Sequence, residues 1–559
     1  MRLYSILCVT ALSQARLALN DEPHEQSPLG QPFHESEDVS DDPLTEAFDA
    51  KVAHVLKHYH VPGLAVSVVR NGTTYAKGNT KAKHGYGLAN TTTSTPVTPD
   101  TLFFAGSTTK AHTAAAVSLL VANNTHYPHI QWNTPLHTLL PEFILSDPYA
   151  TTHLTLTDIL SHRSGLPRHD TVLFGQDLTL PAVMEKLKYL PMTEEIRTEF
   201  QYCNLMYIVA AHLIEKTTNQ SLYEFLKENL WSPLDMRSTY LDTAPALADK
   251  REISEGYFFN PSTNKTFATN LEYSPVVRGA GNILTSVNDY AKWISALLAR
   301  ARPISEEGYA ALFGAHSIVA PVVKPPFSAP DLYGFGWSLQ NYKGLQIIQH
   351  GGAQVGFGAF VALLPEKETG FVILGNNMFG VNQGSLILAF EIIDGLLGLK
   401  KEERPDWEKI IDTQLADLKF SNETLAALYP DLPDKDSLLP HPLALAAYSG
   451  RYTHPAYPTL KITTDCPERD VLKNPEKWTG ARLCASFENS TSWTMSVGLA
   501  LDLFHVTGTF WTLVSSAVGM DAAARVEFRI SAEGKVTETG VEFDEMMQKK
   551  EQKIWLARA

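Results

Sequence analysis

Along the chain, apolar positions recur first at helical spacing and then at strand spacing. In "TEAFDAKVAHVLKHY", which starts at Thr45, residues Phe48, Val52, Val55 and Leu56 share one helical face. "GLAVSVVRNGTTYAKG" follows as two β-rich runs joined by Asn71-Gly72, a pair suited to a tight turn, and predicts a hairpin. A long middle region carries helical patterns over 204–229 and 288–300. "FGAFVALLPEKETGFVILGNN" (357–377) then predicts a second antiparallel hairpin, and "QGSLILAFEIIDGLLG" (383–398) a helix. Strands at both ends of one region with helices between them predict an antiparallel sheet assembled from distant sequence. The class is α+β.

The texture changes after that helix. Residues 399–443 are charged and then Pro-rich, and predict a linker with a helix in it. Over 444–559, runs such as "LFHVTGTFWTLVSS" and "ARVEFRIS" alternate with period two, which predicts a small β-barrel or sandwich. At the other end, "MRLYSILCVTALSQA" places one basic residue before a short apolar run, the pattern of a secretory signal over 1–15. Residues 16–43 are acidic, polar and Pro-containing, and predict a disordered leader. The main α+β domain is then 44–398.

Composition narrows the function. The 559 residues are 44% hydrophobic and 19% charged, which suits a globular chain with more than one core. A net charge of −15 without a basic stripe excludes nucleic acid and anionic membrane surfaces as partners. Of the four cysteines, Cys8 lies in the signal. An oxidising compartment allows Cys466 and Cys484 to pair, which leaves Cys203 as a buried free thiol. Glycosylation sequons begin at Asn71, Asn90, Asn123, Asn219, Asn264, Asn422 and Asn489. With the signal, they point to an extracellular glycoprotein.

The chemistry begins at "FAGSTTKAHTAAAV". A serine hydroxyl needs a neighbouring base to act as a nucleophile. Residues three apart share a helix face, so Ser107 at a helix start places the Lys110 amine beside it, while the helix N-terminus supplies donors for an oxyanion. The motif alone is weak, because Ser262-Thr263-Asn264-Lys265 repeats it in a polar loop. Three further features raise the first copy. Y-x-N occurs once, as Tyr202-Cys203-Asn204, and offers a phenol for proton transfer and an amide to orient the lysine. H-x-G occurs once, as His350-Gly351-Gly352, at an apolar strand pair. "LSHRSGLPRHD" (160–170) lies between Lys110 and Tyr202 in the chain.

Taken with "VPGLAVSVVRNG", "LYGFGW" and "HGGAQVGFGAF", these stretches resemble the serine β-lactamase-like family of class C β-lactamases, DD-peptidases, D-aminopeptidases and related esterases. The resemblance covers roughly residues 45 to 398, and the C-terminal part resembles the lipocalin-like barrel that some members append. It implies Ser107 as the acylated nucleophile, with Lys110 and Tyr202 jointly moving its proton. It implies that Asn204 positions Lys110 and substrate, that His350 and Gly352 form the third motif, and that the backbone N–H groups of Ser107 and Ala353 form the oxyanion hole. The family's usual third motif is Lys-[Thr/Ser]-Gly, which grips a substrate carboxylate. His350 and Gly351 lack that fixed cation and that hydroxyl, which argues against efficient penicillin hydrolysis and for a small-molecule ester, amide or peptide.

The expected function is a secreted serine hydrolase, esterase-like rather than a true β-lactamase. The alternatives are a D-stereospecific peptidase, an acyltransferase, and a catalytically inactive β-lactamase-like binding protein. Intact Ser107, Lys110, Tyr202 and Asn204 weigh against the last. No cofactor is expected. No metal is expected either, since the nineteen histidines are scattered and H-E-x-x-H is absent. Cys203 is expected to be packing rather than chemistry.

Overall fold

The computed structural model describes residues 42–559 except 78–84, 176–177, 262, 270–273, 324, 418–425, 468–480, 490–498 and 518–519. The signal and nearly all of the leader, Ser262 and Asn422 therefore lie outside the described residues.

Helix α1 (Glu46–His58) starts at Thr45, whose hydroxyl accepts from the Phe48 amide, and it buries Phe48, Val52 and Val55. Strand β1 (Gly63–Arg70) turns back through Asn71 and Gly72, both at positive φ, into Thr73–Lys77. Two positive φ angles are what a tight hairpin turn with the strands' twist requires, and Asn-Gly supplies them at least cost. Strands β2 (Leu345–Gln354), β3 (Phe357–Leu364) and β4 (Thr369–Gly375) run antiparallel, and β4 pairs with β1, Arg70 lying opposite Thr369, 299 residues further along the chain. The sheet continues at both edges to ten strands. Its assembly from chain ends matches the α+β expectation.

Both faces of the sheet are covered. In β1, Leu64, Val66 and Val68 pack towards α1 and the helix Met378–Leu396, while Ala65 and Val69 join the core on the opposite face. Alternation with both faces apolar is why this strand reads as a continuous hydrophobic run. The helix Met378–Leu396 begins five residues before the stretch predicted from 383, because Asn377 caps it by accepting from the Gly380 amide. The helical stretch predicted over 204–229 is broken: its first helix ends at Asn219, in the left-handed conformation, and the next starts at the Ser221 capping box. A hairpin of Gly256–Asn260 with Lys265–Thr269 stands where the sequence suggested only a polar loop, although Lys265 itself is exposed. Among the described residues no helix is long and apolar enough to cross a membrane.

The segment after the body is tied down. Its helix Trp407–Asp417 stacks Trp407 on Phe390 at 3.7 Å, and Glu408 and Asp412 pair with His54 and His58 of α1. Eight antiparallel strands from Gly450–Thr453 to Ile554–Arg558 then close into a barrel, the last pairing with the first at Tyr452 and Thr453. Closure decides between the barrel and the sandwich that the alternation allowed. Tyr448, Tyr452, Trp511 and Phe528 meet in the barrel core with ring centroids 4.9–6.1 Å apart, so side chains fill its centre. Cys466 and Cys484 form a disulfide within it.

Candidate active site

Gly106 has φ +50°, and a Cβ built there would stand 2.4 Å from the Ala353 nitrogen. A Cβ on Gly352 would stand 2.0 Å from the Ala105 carbonyl oxygen. Only glycine admits so close an approach, so the turn carrying Ser107 lies backbone to backbone against the end of β2. Ser107 sits in the single 3₁₀ turn Gly106–Thr108, which runs into α2 (Thr109–Ala122). The Thr109 hydroxyl donates to the Gly106 carbonyl and accepts from the Ile283 amide, fixing the turn from a third segment. Nearly the whole of α2 is buried, which explains an Ala- and Thr-rich helix with little amphipathicity.

Lys110 is fully buried and reaches back across one turn. Its Nζ stands 3.2 Å from Ser107 Oγ, 2.8 Å from Asn204 Oδ1 and 2.8 Å from the Ala280 carbonyl oxygen. The last two can only accept, and none of the three carries a charge. In the neutral amine, two N–H groups satisfy Asn204 and Ala280, and the lone pair is left facing the one partner that can donate, the Ser107 hydroxyl. This geometry suits proton abstraction from serine.

The amide of Asn204 is oriented by its neighbours. Its Nδ2 donates to Asp170 Oδ1 at 2.9 Å, and Asp170 Oδ2 accepts from Arg168 at 2.7–2.8 Å. A carboxylate on one side and an amine on the other leave a single assignment of the amide O and N. Arg168 also lies over the Tyr202 ring, 4.9 Å from its centroid, and Lys110 approaches the same ring at 4.7 Å. Arg168, Asp170 and the Ala280 carbonyl escaped the sequence reading. "LSHRSGLPRHD" held the first two, but nothing in its spacing says that Asp170 meets Asn204.

His350 is 1% exposed and has both ring nitrogens engaged. Nδ1 donates to the Gly351 carbonyl at 2.6 Å, so Nε2 holds the lone pair and accepts from the Tyr333 hydroxyl at 3.0 Å. Burial, and then the nearby Lys110, push its pKa down to about 3. It is a neutral side chain in a sealed position and offers no cation to a substrate carboxylate. His162, at φ +58°, lies tilted against the Tyr202 ring with centroids 4.3 Å apart, and burial and then Lys110 and His350 hold it neutral as well. Its Nδ1 accepts from the Cys203 amide, which fixes the strand entering the Tyr202–Asn204 corner.

The wall beside the site is apolar. Tyr202, Phe258, Val355 and Met378 form one buried cluster, with Phe200, Phe267, Ala353, Phe379 and Leu499 packed against it. Leu499 reaches it from the barrel's side of the molecule. Cys203 is fully buried and burial pushes its thiol up to about 12, so it packs as expected and is inert. Asn71, Asn123, Asn219, Asn264 and Asn489 are exposed, whereas Asn90 is half-buried and accepts from the Thr93 amide. Among the described residues His54, His58 and Glu408 bring ligand-type atoms within 4.8 Å, but they sit at the surface between α1 and Trp407–Asp417, where His54 hydrogen-bonds to Glu408.

Ser107, Lys110, Tyr202, Asn204 and His350, spread over 244 positions, thus converge on one corner between α2, the helix Asn204–Thr218 and β2. A family model described as β-lactamase matches residues 48–387, and the chain belongs to that family, whose members are serine hydrolases. A second model, described as a domain of unknown function, matches residues 434–558. The chain is 36% identical over 527 residues to an unguisins hydrolase of Aspergillus campestris, covering 93% of each. It is 33% identical to an unguisins hydrolase of Aspergillus violaceofuscus, and 27% identical over 369 residues to a D-aminopeptidase of Brucella anthropi, covering 64% of each. In fold it is similar to an octameric penicillin-binding protein homologue from Pyrococcus abyssi, with a TM-score of 0.54 at 19% identity over 91% of this chain and 99% of that one.

Proposed function

We propose that this protein is a serine hydrolase that cleaves an amide or ester bond in an apolar, peptide-like small molecule through an acyl-enzyme on Ser107. The observation that carries the reading is the position of Lys110 Nζ, 3.2 Å from Ser107 Oγ and held by two obligate acceptors. As Ser107 Oγ attacks the carbonyl carbon, its proton passes to the Lys110 lone pair. The carbonyl oxygen takes the negative charge and is received by the N–H groups of Ser107 and Ala353. Collapse breaks the bond to the leaving group, which takes a proton from the Lys110–Tyr202 pair. Water then attacks the acyl carbon and gives a proton to the pair, and the Ser107 ester breaks as Ser107 Oγ takes that proton back.

Two features support the substrate class. The wall of Phe200, Phe258, Phe267 and Phe379 suits an apolar acyl or side-chain group. The relatives are named as an unguisins hydrolase and a D-aminopeptidase, and the second name favours an amide in a peptide-like compound over a simple ester. The neutral, sealed His350 supports the exclusion of efficient β-lactam hydrolysis. The signal-like start and the exposed sequons support a secreted glycoprotein. The reading is tested by stopped-flow assay of a hydrophobic p-nitrophenyl ester and the matching anilide. A burst of nitrophenol followed by slower turnover, absent in Ser107→Ala, is expected. Turnover that survives Ser107→Ala would contradict it.

A further inference from the structure

The barrel that matches a domain of unknown function holds one turn of the main domain with unusual specificity. His169 stands between Arg168 and Asp170, has φ +50°, and is 1% exposed. Its Nε2 lies 2.9 Å from the Pro191 carbonyl oxygen, which only accepts, so Nε2 carries the proton. Nδ1 therefore accepts, and its partner is the hydroxyl of Tyr457 at 2.6 Å, 288 residues further along the chain and inside the barrel domain. Tyr457 is 4% exposed and stacks on Phe543 at 4.9 Å. Next to Phe543, Asp544 is buried and its Oδ1 accepts from the Met547 amide within the barrel domain.

A non-glycine residue in the left-handed region is held there only if its surroundings over-determine it. Here the surroundings combine the Pro191 carbonyl of the main domain with Tyr457 of the barrel. The two side chains that flank His169 are the ones that act on the site: Asp170 orients the Asn204 amide on Lys110, and Arg168 covers the Tyr202 ring. Other interdomain contacts run beside it, such as Lys550 with Glu194 and Gln552 with the Met192 carbonyl, and neither is made by Arg168, His169 or Asp170.

We infer that the C-terminal barrel is a brace for the catalytic corner, with Tyr457 as the positioning residue that holds the Arg168–His169–Asp170 turn in register with Asn204 and Lys110. The inference rests on the proposed reading of Ser107 and Lys110. It gives the barrel a catalytic task that needs no ligand in the barrel's filled centre. It also accounts for a barrel on this chain in place of a simple covering of the main domain.

The test uses the full chain. Tyr457→Phe keeps the ring and its stacking and removes only the donor to His169. Its rate of Ser107 labelling by a fluorophosphonate is expected to fall about 10-fold, with kcat for the ester falling alike and KM within about twofold, since a misplaced base slows chemistry more than binding. Hydrogen exchange of the amides at 166–172 and 203–207 is expected to quicken. Lys550→Ala, which breaks an interdomain ion pair off the path, is expected to leave both readouts unchanged. Wild-type labelling and exchange in Tyr457→Phe, or an equal loss in Lys550→Ala, would overturn the brace. Should Tyr457→Phe not fold, His169→Asn, which tolerates the left-handed turn and removes the acceptor for Tyr457, is judged by the same criteria. A wild-type protein that is never labelled contradicts the Ser107 reading instead, and the exchange measurement still decides whether Tyr457 holds the turn.

Discussion

Asp170 Oδ1 accepts from Asn204 Nδ2 at 2.9 Å, and this bond sets which end of the Asn204 amide faces Lys110. With the carboxylate in place the amide oxygen must point at the amine. Without it the amide can turn and present N–H groups to Lys110 Nζ, which then loses one of its two obligate acceptors. Asp170→Asn is therefore expected to lower kcat/KM by about 10²-fold, the scale of a small misplacement at a reacting centre. Steady-state kinetics against an unchanged near-UV circular dichroism spectrum checks this, and a loss under twofold would show that Asp170 serves only packing.

Lys110→Ala removes the group that takes the Ser107 proton. Acylation is expected to slow by about 10²–10⁴-fold, the usual worth of a positioned acid–base group, and by more than in Asp170→Asn. Lys110→Arg is not expected to restore it, because a guanidinium stays protonated and has no lone pair to offer. Single-turnover labelling rates order the three variants, and rescue by arginine would point to a purely electrostatic lysine.

The five motif residues were legible in the sequence because their chemistry is local: a serine and a lysine one turn apart, a Tyr-x-Asn, a His-x-Gly. Their order along the chain carried the rest. The barrel was legible through its period-two alternation, although alternation alone could not say whether its edges meet. Asp170 and Tyr457 were not legible. Their roles depend on a left-handed turn at His169 and on partners 34 and 288 residues away, and no local pattern encodes either. The hairpin through Asn260 and Lys265 was hidden by turn-forming residues, which read as loop until the flanking Phe258 and Phe267 are seen to pair. The early start of the helix at Met378 follows from the Asn377 cap, which overrides a glycine at 380.

His350 argues for a selectivity that can be measured. Its ring is neutral and both nitrogens are occupied by Gly351 and Tyr333, so a β-lactam carboxylate meets no cation there. Nitrocefin turnover is expected to be at least about 10²-fold slower in kcat/KM than that of a hydrophobic p-nitrophenyl ester, roughly the worth of one lost charge-assisted contact. Comparable rates on the two substrates would show that another cation serves the carboxylate.

Acid should loosen the fold through its buried histidines. Burial pushes His112 and His350 down to about 3, and His169 and His454 down to about 4. Each binds a proton less readily when folded than when unfolded, where the ordinary value is about 6.5. Their contribution to stability is thus fully present above about pH 6.5 and is lost as pH falls from there through 4 towards 3. Asp394, Glu542 and Asp544, which burial pushes up, work in the opposite sense over part of that range. His60, His162, His316 and His505 are pushed down by burial as well, so the histidines outnumber the carboxyls and set the direction. The melting temperature is expected to fall steadily from pH 7 to pH 4.5, and a flat or rising profile would contradict the neutral assignments.

The central claim is that Ser107, activated by Lys110, becomes acylated. Peptide mass spectrometry after brief exposure of the folded protein to a fluorophosphonate tests it most directly. One adduct on the peptide containing Ser107, lost in Ser107→Ala and strongly slowed in Lys110→Ala, is the expected result. Folded wild-type protein with no adduct, or with an adduct on another serine that persists in Ser107→Ala, would contradict it.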